Sequence, residues 1–484
     1  MRFIGNVEKD AQVRAVASGA LSSGDTVVVN SDGTVSVVSG ASGSETVGTA
    51  VSYNAGNSQS ASAAYDPDSG NIVIAFQDYT ASGSGRAIVG SISGTSISFG
   101  TKVQYENGSS DFNSVAYDAT NGKVVIAYRD NGDSNRPKAV VGTVSGTSIS
   151  FGSPVTISSN TANQVAGAVY DASTGKVVVV WSDQGNSGYG TAAAGTVSGT
   201  SISFGANLVF NSANTPLAIS SLAYDPTEQR VIVPYKDDGN SGRGTAVALT
   251  GSGTTLSSGT PAVYDAAAIS NDGLTVTYDS GNEKIVITYL TAAADVLHAV
   301  VGTVSGTSIS FGTAVATSFT SQWVAAAYDS LAQKVIIHFR DRSNSDYGTV
   351  SPFSVSGTTG TFDTATVYLS ASTQHLGAAY DSVNQKTALV YSNGFTSGDV
   401  SVYASAFNTT NLTAENFLGF AAHTYADTQS ALVNSTCTVD RNQSGLTAGQ
   451  KYYVQTDGTL GTTAADPSVE AGTAISSTEI IVKG

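Results

Sequence analysis

A Tyr-Asp pair recurs seven times along this chain, at Tyr65-Asp66, Tyr117-Asp118, Tyr170-Asp171, Tyr224-Asp225, Tyr278-Asp279, Tyr328-Asp329 and Tyr380-Asp381. Successive aspartates stand 52, 53, 54, 54, 50 and 52 residues apart. A period near fifty, filled with short apolar runs, means repeated units that bury their faces against one another. The second copy shows the unit most clearly. Residues 114–117 read as a short strand, and 118–123 as a tight turn opened by Asp118 with Gly122 free for a positive φ. Residues 124–128 form an unbroken apolar run, as in a strand buried on both faces. A polar loop, 129–138, leads to a third strand at 139–144 and, past Ser145-Gly146-Thr147, to an alternating fourth at 148–152. Four antiparallel strands per unit and seven units predict a seven-bladed β-propeller.

The expected fold class is therefore all-β, with composition to match. Charged residues make up 12% and apolar residues 40% of the 484 residues, the latter in short β-branched runs. The net charge of −16 argues against a nucleic-acid partner. No stretch of eighteen apolar residues offers a membrane span. The charged residues Arg2, Glu8, Lys9 and Asp10 leave no room for the apolar core of a signal peptide, so synthesis in a cytoplasm is expected.

Ring closure has two candidates. The seventh copy lacks a clear fourth strand after Ala406. Residues 46–53 read like the fourth-strand segment 98–105, which makes 46–57 a possible ring-closing strand. The rival is 411–421. The two ends also resemble each other. Residues 21–35 align with 446–460, and both carry Asp-Gly between strand-like runs. Val47-Gly48-Thr49-Ala50, Leu418-Gly419-Phe420-Ala421 and Ala471-Gly472-Thr473-Ala474 echo one another. The domain reading is a propeller at 46–410 set between 1–45 and 411–484, whose halves together form a small β-barrel or sandwich.

The C-terminal segments 411–419, 444–454 and 471–478 resemble the end module of tailed-phage structural proteins, particularly those of marine cyanophages. The phrase Gly-Thr-Val-Ser-Gly-Thr-Ser-Ile-Ser-Phe-Gly at 142–152 resembles repeats of large phage virion proteins. The terminal likeness spans about a fifth of the chain. It implies a virion component, and the leading expectation is a protein of the tail apparatus, a fibre or tip, that forms homo-oligomers and contacts other virion proteins. A host surface glycan or protein is the expected receptor, with no enzymatic activity and no cofactor. The alternatives are a capsid-decoration or tail-conduit protein, a glycan-processing enzyme, and a bacterial surface adhesin.

In a propeller, the 1→2 and 3→4 turns share one face, while the 2→3 and 4→1 connections share the other. Here the first set is nearly constant and the second varies, as loops that carry recognition do. The binding candidates on that second face are Tyr79, Arg86, Arg129, Arg136, Tyr189, Arg243, Trp323, Arg340, Arg342 and Tyr347. The plainer reading of each is a solvated loop residue.

The acidic series Asp78, Asp130, Asp183, Asp237 and Asp341 suits either calcium or turn capping, and capping fits better because no loop has the full alternating acidic pattern. The Tyr-Asp aspartates read as turn formers. Ser270-Asn271-Asp272-Gly273-Leu274-Thr275 faintly resembles the Asp-box turn of sialidases, but it occurs once and lacks the aromatic ending. His298, His338, His375 and His423 show no metal-ligand spacing, and His338 reads as packed. Cys437, the sole cysteine, reads as a small buried residue.

Overall fold

The computed structural model describes residues 11–218, 222–465 and 467–483. Expectations that fall on 1–10, including the missing signal peptide, lie outside the described residues. The chain divides into two compact bodies, Glu45–Ser405 and residues 1–44 with 406–484. Strands dominate both, and among the described residues there is no α-helix. Among the described residues no helix is long and apolar enough to cross a membrane.

In Glu45–Ser405 the repeats become four-stranded antiparallel units. The second strands are Asn71–Asp78, Lys123–Asp130, Lys176–Asp183, Arg230–Asp237, Lys284–Thr291, Lys334–Asp341 and Lys386–Asn393. Each lies between a first and a third strand. Burial on both faces explains their continuous apolar runs; every residue of Asn71–Asp78 is buried. The fourth strand comes in two pieces. In the first unit, Ser96–Phe99 pairs with the far end of Ser84–Ser93, and the start of Val103–Asp118 pairs with its near end. That long strand then continues as the first strand of the next unit. First strands of successive units lie side by side, and that of the seventh, in Thr366–Asp381, lies against Ser58–Asp66 of the first.

The Tyr-Asp pair joins these units. Each of the seven aspartates accepts a hydrogen bond from the backbone N–H two residues on, for example Asp118 from Thr120 at 3.0 Å and Asp381 from Val383 at 3.0 Å. The aspartate shapes its own turn. The tyrosine reaches the turn of the preceding unit. Tyr278 meets the Thr227 hydroxyl at 2.9 Å, and the Tyr328 oxygen accepts from the Gly281 N–H at 3.0 Å.

A second joint runs along the seams. A fourth-strand aromatic packs on a second-strand aromatic of the following unit: Tyr53 on Phe76, Tyr105 on Tyr128, Phe210 on Tyr235, Tyr264 on Tyr289, Phe319 on Phe339 and Tyr368 on Tyr391. Their centroids are 4.9–5.6 Å apart, in edge-on or tilted geometry. Five of these rings lie over a third-strand glycine. A Cβ at Gly244 would stand 2.3 Å from the Tyr264 ring. Gly244→Ala is therefore expected to lower stability by about 1–3 kcal/mol through overpacking. Urea unfolding checks this, and Tyr264→Leu in the same chain should recover part of the loss.

Thr46–Val47 and Val51–Asn54 pair with Ser397–Ala404, so the N-terminal segment supplies the fourth strand of the seventh unit. The rival segment lies elsewhere: Phe417–Ala421 pairs with Thr26–Val29 and Ser430–Asn434 in the other body. Residues 406–410, read above with the repeats, also belong there, because Phe407–Thr410 pairs with Gly40–Gly43.

The terminal body is an internal duplication. One sheet runs Gln12–Val16, Ser430–Asn434, Phe417–Ala421, Thr26–Val29, Val35–Val37. The other runs Val439–Asp440, Ile480–Val482, Val469–Ala474, Lys451–Val454, Leu460–Gly461. Numbered by chain order within each copy, both are 1-5-4-2-3 and all antiparallel. Gly419 and Gly472 occupy matching places with φ of 146° and 151°, and a Cβ on either would collide with a carbonyl oxygen of the adjacent strand. One core holds Val28 and Phe420 from the first sheet with Val454, Ala471 and Ile480 from the second.

Candidate functional site

The start of the first strand departs from ladder geometry. Register shifts fall between Gln59 and Ser62, Asp111 and Ser114, Gln322 and Val324, and Gln374 and Gly377. These are β-bulges, which re-aim side chains. The residues at the bulges, Ser60, Phe112, Trp323 and His375, have φ of 48°, 51°, 47° and 48°. Left-handed backbone costs a bulky L-residue about 1–2 kcal/mol, and such strain concentrates where function requires it.

The bulges gather their side chains at one cavity of about 350 Å³. It takes residues from all seven units: Ser60, Phe112, Gln164, Ala218, Asp272, Trp323 and His375, with Gln59, Asp111 and Asn271 beside them. A second cavity is lined by smaller side chains of the same first strands, among them Ser62, Ala63, Ala168, Thr275 and Ala325.

Two clusters organise the larger cavity. In one, the Arg129 guanidinium lies 4.6 Å from the Phe112 ring centroid and donates to Asp111 at 2.9 Å. The Ser60 hydroxyl donates to the other Asp111 oxygen at 2.6 Å, tying the first unit to the second. In the other, the Arg340 guanidinium lies 5.2 Å from the Trp323 ring centroid, and His375 is 5.1 Å from Trp323, tilted by 36°. Arg340 donates to Gln322 at 3.2 Å and pairs with Asp346. Gln322 in turn donates to Asp272 at 3.4 Å. Burial holds the His375 pKa down at about 4, against the opposite pull of Asp111, so its imidazole is neutral at pH 7.

Of the ten candidate residues, the cavity and its two clusters take in Arg129, Trp323 and Arg340. The others are placed elsewhere. Tyr79 is 48% exposed. Arg86 pairs with Asp78 at 3.3 Å, Arg136 with Asp133 at 3.0 Å and Arg342 with Asp295 at 2.8 Å. Arg243 donates to the Ala266 carbonyl at 3.1 Å. Tyr189 and Tyr347 begin third strands, opposite Asp183 and Asp341 in the ladder. The strands extend further than the sequence reading allowed, so Arg86, Arg129, Arg136 and Arg340 lie in strands rather than in free loops.

Sequence reasoning missed Phe112, His375, Asp111 and Gln164. A signal was present: Ser60, Phe112, Trp323 and His375 all stand six positions before a Tyr-Asp aspartate. That position is variable within an otherwise repetitive scaffold.

The second acidic series acts in the loops. Asp78, Asp130, Asp237 and Asp341 each accept from the backbone N–H two residues on, at 2.8–3.1 Å. Asp183 instead accepts from the Asn160 side chain at 3.0 Å. Among the described residues no group of three His, Cys, Asp or Glu is placed to hold a metal. His338 is fully buried, as its strand position suggested. Cys437 departs from expectation: it is exposed, in a turn with φ of 67° that enters Val439–Asp440.

No family model matches this chain, and neither does any curated protein. Among solved structures it is similar to the BP39L lectin from Burkholderia pseudomallei, with 13% identity, 73% of this chain and 98% of that chain covered, and a TM-score of 0.53. It is also similar to the NanB sialidase from Streptococcus pneumoniae, with 11% identity, 74% and 69% covered, and a TM-score of 0.45. For the Trypanosoma rangeli sialidase the values are 13%, 70% and 59%, and 0.40. The likeness to the first of these is one of fold.

Proposed function

We propose that Glu45–Ser405 is a closed seven-bladed β-propeller that acts as a non-enzymatic binding module for a host-surface glycan. In this reading it is carried on the tail of a phage particle. The terminal body joins it to other virion proteins and to sister copies.

One observation carries the binding part: strained, unlike side chains from separate repeats converge on a single cavity, while the rest of the scaffold repeats. The fold shared with a protein described as a lectin supports carbohydrate as the ligand class. The repeated aspartates serve as turn formers and caps, which supports the non-enzymatic reading. The phage part rests on the resemblance of the chain's ends to tailed-phage end modules.

The test is binding of the purified full-length chain to an array of host-envelope polysaccharides, with tag labelling of intact particles under electron microscopy. Saturable binding without cleavage, and a few copies at the tail, are expected. Cleavage of a bound polysaccharide would overturn the non-enzymatic reading. Dense labelling of the head would make this a decoration protein, and absence from particles would end the virion reading.

A further inference from the structure

We infer that the chain carries a single axial subsite for a neutral pyranose at the bulge cavity, rather than one equivalent site per repeat. This inference rests on the glycan-binding reading above and specifies its site and its ligand.

The singularity follows from the bulge residues. Seven like sites would need like residues, but the position six before each aspartate holds Ser60, Phe112, Val165, Gly273, Trp323 and His375 in the six repeats where it is described. All of these but the buried Val165 line one cavity, which is large enough for a small ligand. Its lining also offers two kinds of chemistry. Trp323, His375 and Phe112 offer ring surface, which suits the C–H face of a sugar. Gln59, Gln164, Asn271 and Asp272 offer amide and carboxylate groups, which suit hydroxyls.

The electrostatics select against an anion. Arg129 is already paired with Asp111, and Arg340 with Asp346. His375 is uncharged at neutral pH, and Asp272 is an exposed carboxylate at the rim. A sialic acid or phosphate would meet carboxylates and, among the described residues, only guanidinium groups already ion-paired, whereas a neutral sugar would find acceptors for its hydroxyls.

The backbone supplies a discriminating variant. Glycine at position 323 suits φ of 47° better than tryptophan does, so Trp323→Gly removes ring surface without straining the fold. Binding is measured by calorimetry with neutral methyl pyranosides, neutral oligosaccharides and N-acetylneuraminic acid. The wild-type chain should bind a neutral sugar at one site per chain and should not bind N-acetylneuraminic acid. Trp323→Gly and His375→Ala should each weaken that binding by about tenfold or more, with Trp323→Gly still unfolding cooperatively from a folded state. Val383→Ser, at a position 72% exposed on a 1→2 turn, should leave binding intact. Several equivalent sites per chain, preference for the anionic sugar, no binding of any neutral sugar, or binding that survives both cavity variants would each overturn the axial site. Polysaccharide binding on the array that survives these variants would leave the broader glycan reading standing while the axial site falls.

Discussion

Tyr53→Ala is expected to lower the unfolding free energy of the Glu45–Ser405 body by about 3–5 kcal/mol, as for other large aromatic truncations. Tyr53 is 5% exposed and packs edge-on against Phe76 at 4.9 Å and Phe99 at 6.2 Å. Its ring also covers Gly398 on the third strand of the seventh unit. The same change at Tyr264 would open a comparable hole, but there Gly253 turns the third strand directly into the fourth. At Tyr53 no turn joins the two strands. The ladder from Ser397–Ala404 to Thr46–Val47 and Val51–Asn54 holds the seventh unit together without chain continuity. Lys102 reinforces it by donating to Asn54 at 2.6 Å and Asp78 at 2.9 Å. Tyr53→Ala should therefore cost more than Tyr264→Ala in urea unfolding. Hydrogen exchange should show the amides of Val51 and Asn54 losing protection ahead of those in Arg230–Asp237. Equal losses at the two sites would mean that the closing strand is no weaker than its covalently continued counterparts.

Acid should destabilise the same body through His338. This imidazole is fully buried, between the Tyr368 hydroxyl at 3.2 Å and the Gly377 carbonyl at 2.9 Å. Because the carbonyl accepts, Nε2 carries the proton and Nδ1 accepts from Tyr368. Burial holds the folded pKa at about 4, below the ordinary 6.5. The unfolded chain therefore binds the extra proton first as pH falls. The stabilising contribution is complete above about pH 6.5, declines as pH falls, and is gone near pH 4. Its full size is about 3 kcal/mol, taken from the shift. Urea unfolding at pH 7.5, 6, 5 and 4.5 should show this decline in the wild-type chain. A His338→Gln variant, less stable at neutral pH, should show a shallower one. Parallel pH profiles would assign the acid sensitivity to His375 or to the carboxylates instead.

Much of the repeat body was legible because its local chemistry repeats. The aspartate of each Tyr-Asp pair needs only its own turn to act, and the second-strand runs are continuous because both faces are covered. The strand at 46–53 could be matched to its role because it copies segments such as 98–105. The candidate site was harder to read because it depends on register. Trp323 was singled out as an aromatic at a connection, yet Phe112 and His375 occupy the same structural position, and the first went unnoticed while the second was weighed only as a metal ligand. A bulge shifts the inward-facing residue by one place, and no composition rule reveals that. Arg86, Arg136 and Arg342 looked like recognition groups because they vary between repeats, but each has a carboxylate partner that the linear sequence does not advertise. Cys437 looked packable until its turn placed it in solvent.

The duplicated terminal body bears on how such a chain could diversify. In its second copy only residues 462–468 separate Leu460–Gly461 from Val469–Ala474. In the first copy the corresponding connection, from Val35–Val37 to Phe417–Ala421, begins and ends with the paired strands Gly40–Gly43 and Phe407–Thr410. Gly43 is opposite Phe407, so the chain leaves and rejoins this two-stranded stem at neighbouring points. For the terminal body, everything beyond the stem is topologically a hairpin loop, and lengthening such a loop adds little closure entropy. The stem is thus a natural splice point, where recombination could exchange one inserted body for another while the terminal body kept its fold.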